Sequence, residues 1–252
     1  MDERISERML EKWFSNFAQS APSKSSKIGK LEIEIGESTI SIRNPEHNVV
    51  QVINPADFGL IGPGKEARMI VTELKAGMEH VAYILVPGSE NVMALELAFE
   101  KDFFGVYPYK YPLGFPLSKE YCATALGKNL LICDLKRKEY VFLNERGERL
   151  HSSLEAVRGA SCAVFNADVA AICTSEILYV IRGGQRVGIR LRNAIRKKIK
   201  RPVFGVGHSK DYSWLAVKDE GGTEVILVCL SDADLGYAVL KINELKGKEI
   251  LD

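Results

Sequence analysis

The chain has 252 residues, a formal net charge of +1, and 46% hydrophobic and 27% charged residues. This is the composition of a globular protein with its own core, and it excludes disordered, collagen-like and disulfide-scaffold classes. Near-neutral charge makes no global case for nucleic acid or a membrane surface, and no run approaches the ~20 apolar residues of a membrane helix. The acids Asp2, Glu3, Glu7 and Glu11 do not fit a secretory leader, so the expected compartment is the cytoplasm. Cys122, Cys133, Cys162, Cys173 and Cys229 lie in apolar runs without a Cys-x-x-Cys spacing and read as buried free thiols. With no histidines paired at ligand spacing, neither a metal nor a cofactor is expected.

Taken in order, Ile5, Met9, Leu10, Trp13, Phe14 and Phe17 recur at helical spacing and predict an amphipathic helix over residues 3–18. An aperiodic Ser/Ala/Pro/Lys stretch follows to Lys27, so residues 1–27 read as a helix and linker. Residues 28–252 then read as a β-repeat domain, with a further boundary near 79/80. Leu31, Ile33 and Ile35 alternate with Glu32 and Glu34 and, after Gly36, pair with a run through Ile40 and Ile42 as a hairpin. Asn48–Ile53 is a third strand. Pro63-Gly64 before and Gly77 after the segment Lys65–Lys75, with Ala67, Met69, Ile70 and Leu74 inside it, predict one further helix.

From His80 onward short apolar runs alternate with turns such as Pro87-Gly88, Arg146-Gly147, Gly183-Gly184 and Gly221-Gly222. An offset of 40 residues aligns Cys122-Ala123 with Cys162-Ala163 and Ile132-Cys133 with Ile172-Cys173. A one-residue slip aligns Tyr140-Val141 with Tyr179-Val180. Units near 80–118, 121–159, 161–201 and 203–245 share one pattern of strands, with 29–54 as a fifth. This series resembles the blade repeat of β-propellers, which implies a mainly β array of four-stranded antiparallel sheets. A β-sandwich or barrel, or an α+β arrangement, are the alternative architectures.

The candidate sites follow from charge and aromatic content. Residues 1–126 balance to −4 and residues 127–252 to +5, and the segment from Ile177 to Lys210 holds ten Lys and Arg and no acid. Such a field attracts phosphate or an acidic partner. Leu191, Ala194, Ile195 and Ile199 predict a short basic amphipathic helix from Arg190 to Arg201, which would turn Arg190, Arg192, Arg196, Lys197, Lys198, Lys200 and Arg201 toward solvent. The competing reading is a solvated surface balanced by acids from elsewhere in the fold. Trp13, Phe14 and Phe17 carry too much aromatic surface for water, so the first helix docks on its own domain or on a partner. Tyr107, Tyr109 and Tyr111, among Pro108, Pro112 and Pro116, form an extended segment suited either to partner contact or to covering a core edge.

Gly59 to Lys65 has the spacing of a phosphate-binding loop, but Glu66 replaces the metal-binding hydroxyl and Pro63 removes an amide donor. The run Leu130–Asp134 imitates an apolar strand ending in a metal-binding acid, but that pattern is common to any buried strand, and a turn leading into a helix is the better reading of residues 59–66. His47, His80, His151 and His208 are scattered, and no catalytic residue is assigned. Three functions are therefore expected in descending order. The first is a non-enzymatic scaffold that binds protein partners, and the second is a nucleic-acid-binding accessory protein acting through residues 182–201. The third is a nucleotide-binding enzyme with a degenerate phosphate loop at 59–65.

Overall fold

Alternation in Leu31–Ile35 puts every second side chain into a core and leaves Glu32 and Glu34 in water. The same rule, with both strand faces apolar, organises most of the chain. The computed structural model describes residues 5–17, 22–28, 31–44, 49–59, 64, 66–75, 79–100, 103–195, 198–208, 212–231 and 236–241. Among them are five four-stranded antiparallel sheets, each made of four strands consecutive in sequence. This succession of meanders is the blade-like repeat of a propeller, and the mainly β array expected from the sequence is present. Among the described residues no helix is long and apolar enough to cross a membrane.

The chain divides into two compact units, one of Ser20–Ser153 and one of Met1–Gln19 with Leu154–Asp252. The first unit holds three sheets. They comprise β1 (Ser25–Ile28), β2 (Leu31–Ile35), β3 (Ile40–Asn44) and β4 (Val49–Ile53); β5 (Arg68–Lys75), β6 (Glu79–Leu85), β7 (Asn91–Glu100) and β8 (Phe103–Pro112); and β9 (Tyr121–Leu126), β10 (Asn129–Asp134), β11 (Glu139–Leu143) and β12 (Arg149–Ser153). The middle sheet is apolar on both faces. Ala82, Ile84, Met93 and Leu95 enter one core with Leu31, Ile33, Ile40 and Ile42. Val81, Tyr83, Leu85 and Val92 enter a second with Ala123, Ala125, Leu130 and Ile132. Successive residues of β6 thus belong to different cores, which is why its sequence shows a continuous apolar run.

That double coverage corrects the expectation of a helix over Lys65–Lys75, since Arg68–Lys75 is strand β5. Met69 and Val71 face one core and Ile70 the other, so apolar residues on two faces imitate a helical stripe. The β-branched run Ile70-Val71-Thr72 favours the strand. The Tyr/Pro segment is likewise strand β8, paired with β7 from Asn91↔Pro112 to Glu100↔Phe103. Pro108 and Pro112 share one phase of this outermost strand, the phase on which an edge N–H points away from its neighbour.

The second unit contains α1 (Glu7–Ser15) and two sheets. These are β13 (Ser161–Val164), β14 (Val169–Cys173), β15 (Ile177–Arg182) and β16 (Gln185–Arg190), then β17 (Pro202–His208), β18 (Ser213–Asp219), β19 (Glu224–Cys229) and β20 (Tyr237–Lys241). Their shared core includes Ala171, Leu178, Val180, Leu191, Phe204, Leu215 and Ile226. A Ser6 side chain caps α1 by accepting from the Met9 N–H at 3.3 Å. Ile5, Leu10 and Trp13 of this segment pack with Trp214, Ala216 and Leu227. Glycines make room for it. The Trp13 indole rests on Gly207, and a Cβ on Gly205 would come within 3.0 Å of the Trp13 carbonyl carbon. The remaining helical element, α2, is one turn over Leu191–Ala194.

Candidate functional site

The basic segment is folded differently from a continuous amphipathic helix. After α2 the chain turns at Ile195, while Leu191, Ile195 and Ile199 are buried in the core as their spacing implied. Arg196 and Lys197 lie outside the described residues. Acids from beyond the segment reach part of it. Arg190 pairs with Glu155 at 3.2 Å, and Arg201 pairs with Glu220 at 3.1 Å. The Asp219 carboxylate accepts the Lys200 and Arg201 amides at 2.9 and 2.7 Å. These bonds, led by the one from Arg201, hold its carboxyl below the usual range. Arg186 lies over the Tyr179 ring at 5.3 Å. Arg192 and Lys198 are exposed, and among the described residues neither has an ion-pair partner.

The aromatic candidates separate into two groups. Trp13 is buried in its own unit, Phe17 stacks on Phe165 with ring centroids 4.8 Å apart, and Lys218 lies 4.7 Å over the Phe14 ring. The three rings therefore face the sheets beneath α1. On β8 the opposite holds. Tyr111 packs at the margin of a core, whereas Tyr107 and Tyr109 are 52% and 46% exposed. Burial and the Glu96 carboxylate push the Tyr111 hydroxyl's pKa up. Glu96 itself pairs with Lys128 at 2.7 Å, and that bond raises the Lys128 pKa. The two exposed tyrosines thus rise from a fixed base.

Other motifs lose their chemical context. Gly59 closes a 3₁₀ turn, Pro55–Phe58, at φ 64°, a left-handed conformation that suits glycine. Residues 60–63 and Lys65 lie outside the described residues, and the element that follows is a strand where a phosphate loop requires a helix. Asp134 is fully buried and accepts from the Ser118 N–H at 2.7 Å, the Ser118 hydroxyl at 2.8 Å and the Arg137 N–H at 2.8 Å. It anchors the protein. His208 Nδ1 lies 2.9 Å from the Ser213 hydroxyl, and Ser209 and Asp211 lie outside the described residues. All five cysteines are free thiols, Cys122 half-buried and the others buried. Among the described residues no group of three or more His, Cys, Asp or Glu is arranged to hold a metal ion.

Sequence reading missed one site. A cleft of about 410 Å³ opens in the unit Ser20–Ser153, lined by Pro22, Glu66, Arg68, Pro87, Lys119 and Tyr121. Backbone bonds fix its walls. Ser23 and Met69 exchange N–H···O bonds of 2.8 and 2.7 Å beside Pro22 and Arg68, and the Gly88 N–H donates to Leu117 at 2.7 Å beside Pro87. The Asp134 anchor at Ser118 sets the corner that carries Lys119 and Tyr121. Lys119 pairs with Glu66 at 2.8 Å across the rim. The Tyr121 hydroxyl is buried with no hydrogen-bond partner among the described residues. Burial pushes its pKa up to about 12, and the nearby Arg68 guanidinium opposes that rise.

No protein-family model and no curated protein matches this sequence. Among solved structures, the chain is similar to a catalytically inactive virginiamycin B lyase from Staphylococcus aureus with quinupristin. The TM-score is 0.47 at 12% identity, covering 88% of this chain and 70% of that one. It is also similar to a streptogramin B lyase, with a TM-score of 0.46, 15% identity, and 90% and 70% coverage. The N-terminal domain of Nup159 gives a TM-score of 0.38, 12% identity, and 90% and 66% coverage. Scores this low transfer neither ligand nor activity.

Proposed function

We propose that this chain is a non-enzymatic protein-binding module that meets its partner through the tyrosine face of β8. One observation carries the reading: Tyr107 and Tyr109 stand exposed on a firmly paired outer strand whose prolines resist the addition of another strand. Tyrosines in such a setting supply contact area at little entropic cost, and recognition runs through side chains. The experiment is affinity capture from the native cell with the wild-type chain and with Tyr107→Ala/Tyr109→Ala. The expected result is one stoichiometric protein partner that the variant fails to retain, at an unchanged melting midpoint. Equal capture by both chains, or no partner for either, counts against the reading.

A second reading rests on Arg192 and Lys198, two exposed cations of the basic segment without an ion-pair partner among the described residues. If they meet nucleic acid phosphates, duplex DNA or RNA binding weakens between about 50 and about 200 mM salt. Arg192→Ala/Lys198→Ala then weakens binding at low salt and flattens the salt dependence. Two phosphate contacts give a shallow slope, and binding that ignores both salt and substitution removes this reading.

A further inference from the structure

Two of the five free thiols face each other. β9 and β10 run antiparallel with Cys122 directly opposite Cys133, whereas Cys162 lies opposite Ile172, Cys173 opposite Ser161 and Cys229 opposite Trp214. The ladder sets the distance, because hydrogen-bonded and non-hydrogen-bonded pairs alternate along it. Leu135 donates its N–H to the Glu120 carbonyl at 2.8 Å. Cys122 and Cys133 stand two residues further along each strand, so they are a hydrogen-bonded pair as well. Opposed residues of that kind have Cα atoms about 5.5 Å apart, a spacing at which disulfide-linked cysteines are most often found.

From this arrangement we infer that Cys122 and Cys133 form a reversible oxidation site, which hydrogen peroxide closes into a cross-strand disulfide and a small thiol reopens. The two side chains are already in contact, since the Cys133 thiol hydrogen-bonds to Cys122. That bond, followed by burial, pushes the Cys133 pKa up, so Cys133 keeps its proton and Cys122 is the sulfur that reacts first. Burial agrees with this order, because Cys122 is half-buried and Cys133 fully buried.

One equivalent of peroxide balances the reaction. The Cys122 thiolate attacks a peroxide oxygen, the O–O bond breaks, and the departing hydroxide takes a proton to become water. Cys122 is then a sulfenic acid. The Cys133 sulfur attacks the Cys122 sulfur, the S–O bond breaks, and the released hydroxide leaves with the Cys133 proton as a second water. Two thiols have lost two electrons to the O–O bond, and two equivalents of a small thiol return them. The next opposed pair is Tyr121 and Asp134, so the disulfide staples the hairpin from which Asp134 holds the Ser118 corner. This pair shares no residue with the β8 tyrosines, and the two proposals stand or fall separately.

The test treats the full, folded chain with millimolar hydrogen peroxide, blocks the remaining thiols, and then unfolds and digests it. Trypsin cuts after Lys119, Lys128 and Lys136, which places the two cysteines in separate peptides, 120–128 and 129–136. The free-thiol count is expected to fall from five to three, with these two peptides joined and Cys162, Cys173 and Cys229 still reduced. Dithiothreitol should restore all five. A dimedone trap for sulfenic acid should leave the wild-type chain unlabelled once the disulfide has closed. Cys133→Ala removes the resolving sulfur and keeps a small apolar side chain, and there Cys122 should hold the label. The wild-type digest decides the matter even if that variant folds poorly. The inference is overturned by five thiols surviving peroxide, by thiol loss without the joined peptides, by a bridge to any other cysteine, or by a product that dithiothreitol does not reverse.

Discussion

Replacing Gly207 with alanine is expected to drive α1 off β17. The added methyl group would stand inside the indole ring of Trp13, whose atoms come closer to it than any van der Waals contact allows. The neighbouring Gly205 position leaves no room for the helix to slide, because the Trp13 and Phe14 backbone already lies at contact distance there. Trp13 must therefore leave its site, and the loss should reach about 3 kcal/mol, the lower end of a buried Trp-to-Ala truncation. Urea unfolding measures the stability. The two tryptophans of the chain, Trp13 and Trp214, both sit in this cluster, so emission should shift to the red in the native baseline as well. In a Trp13→Ala background the same glycine substitution should cost little, giving strong non-additivity between the two positions. Unchanged emission and stability in Gly207→Ala would contradict the packing described.

The second large effect is expected at Asp134. Its buried carboxylate satisfies two backbone N–H groups and one hydroxyl. Asp134→Ala strands all three and should destabilise the protein by about 3 kcal/mol, since hydrogen bonds to charged groups contribute about 1.5–3 kcal/mol each and some donors regain water. Asp134→Asn keeps an acceptor on one oxygen position only and should lose roughly half as much. A stable Asp134→Ala variant with wild-type denaturant midpoint would show that water replaces the carboxylate at no loss.

Residues whose burial depends on near neighbours in sequence announced their roles. Leu31, Ile33 and Ile35 read as a one-faced strand because Glu32 and Glu34 stand between them, and the structure buries the first three and exposes the other two. The continuous runs in β9–β11 and β13–β15 read as strands because short turns at 127–128, 135–138, 165–168 and 174–176 divide them at lengths too short for helices. Where two faces are buried at once, the period of two disappears. That happened at β5, where Met69, Ile70 and Leu74 satisfy helical and strand spacing alike, and only the partner sheets decide between them. The repeat offset was also only partly structural. Cys133 opposes Cys122 in one sheet, whereas Cys173 opposes Ser161 in the next, a slip of one position between nominally equivalent strands.

The candidate sites were legible to different degrees for the same reason. Tyr107 and Tyr109 were visible because their density within a proline-rich segment is a local property. The acid-free stretch was visible too, but its neutralisation by Glu155, Asp219 and Glu220 was not, as those acids come from other elements. The cleft left no local trace at all. Arg68, Lys119 and Tyr121 are ordinary single residues in their own segments, and only the meeting of β5 and β9 starts brings them to one wall.

The seat of α1 has a consequence for the order of events during synthesis. Residues 7–15 leave the ribosome before all twenty described strands, whereas the glycine face that receives Trp13 belongs to β17, the seventeenth of them. At about 5–20 residues per second, the helix segment waits on the order of ten seconds or longer for its partner. During that interval Leu10, Trp13 and Phe14 lack the β18 and β19 residues they pack with, while the sheets of the Ser20–Ser153 unit emerge with two core clusters made of their own residues. The nascent chain therefore carries an uncovered apolar helix face while the intervening sheets emerge, and the arrival of β17–β19 removes the hazard by burying it.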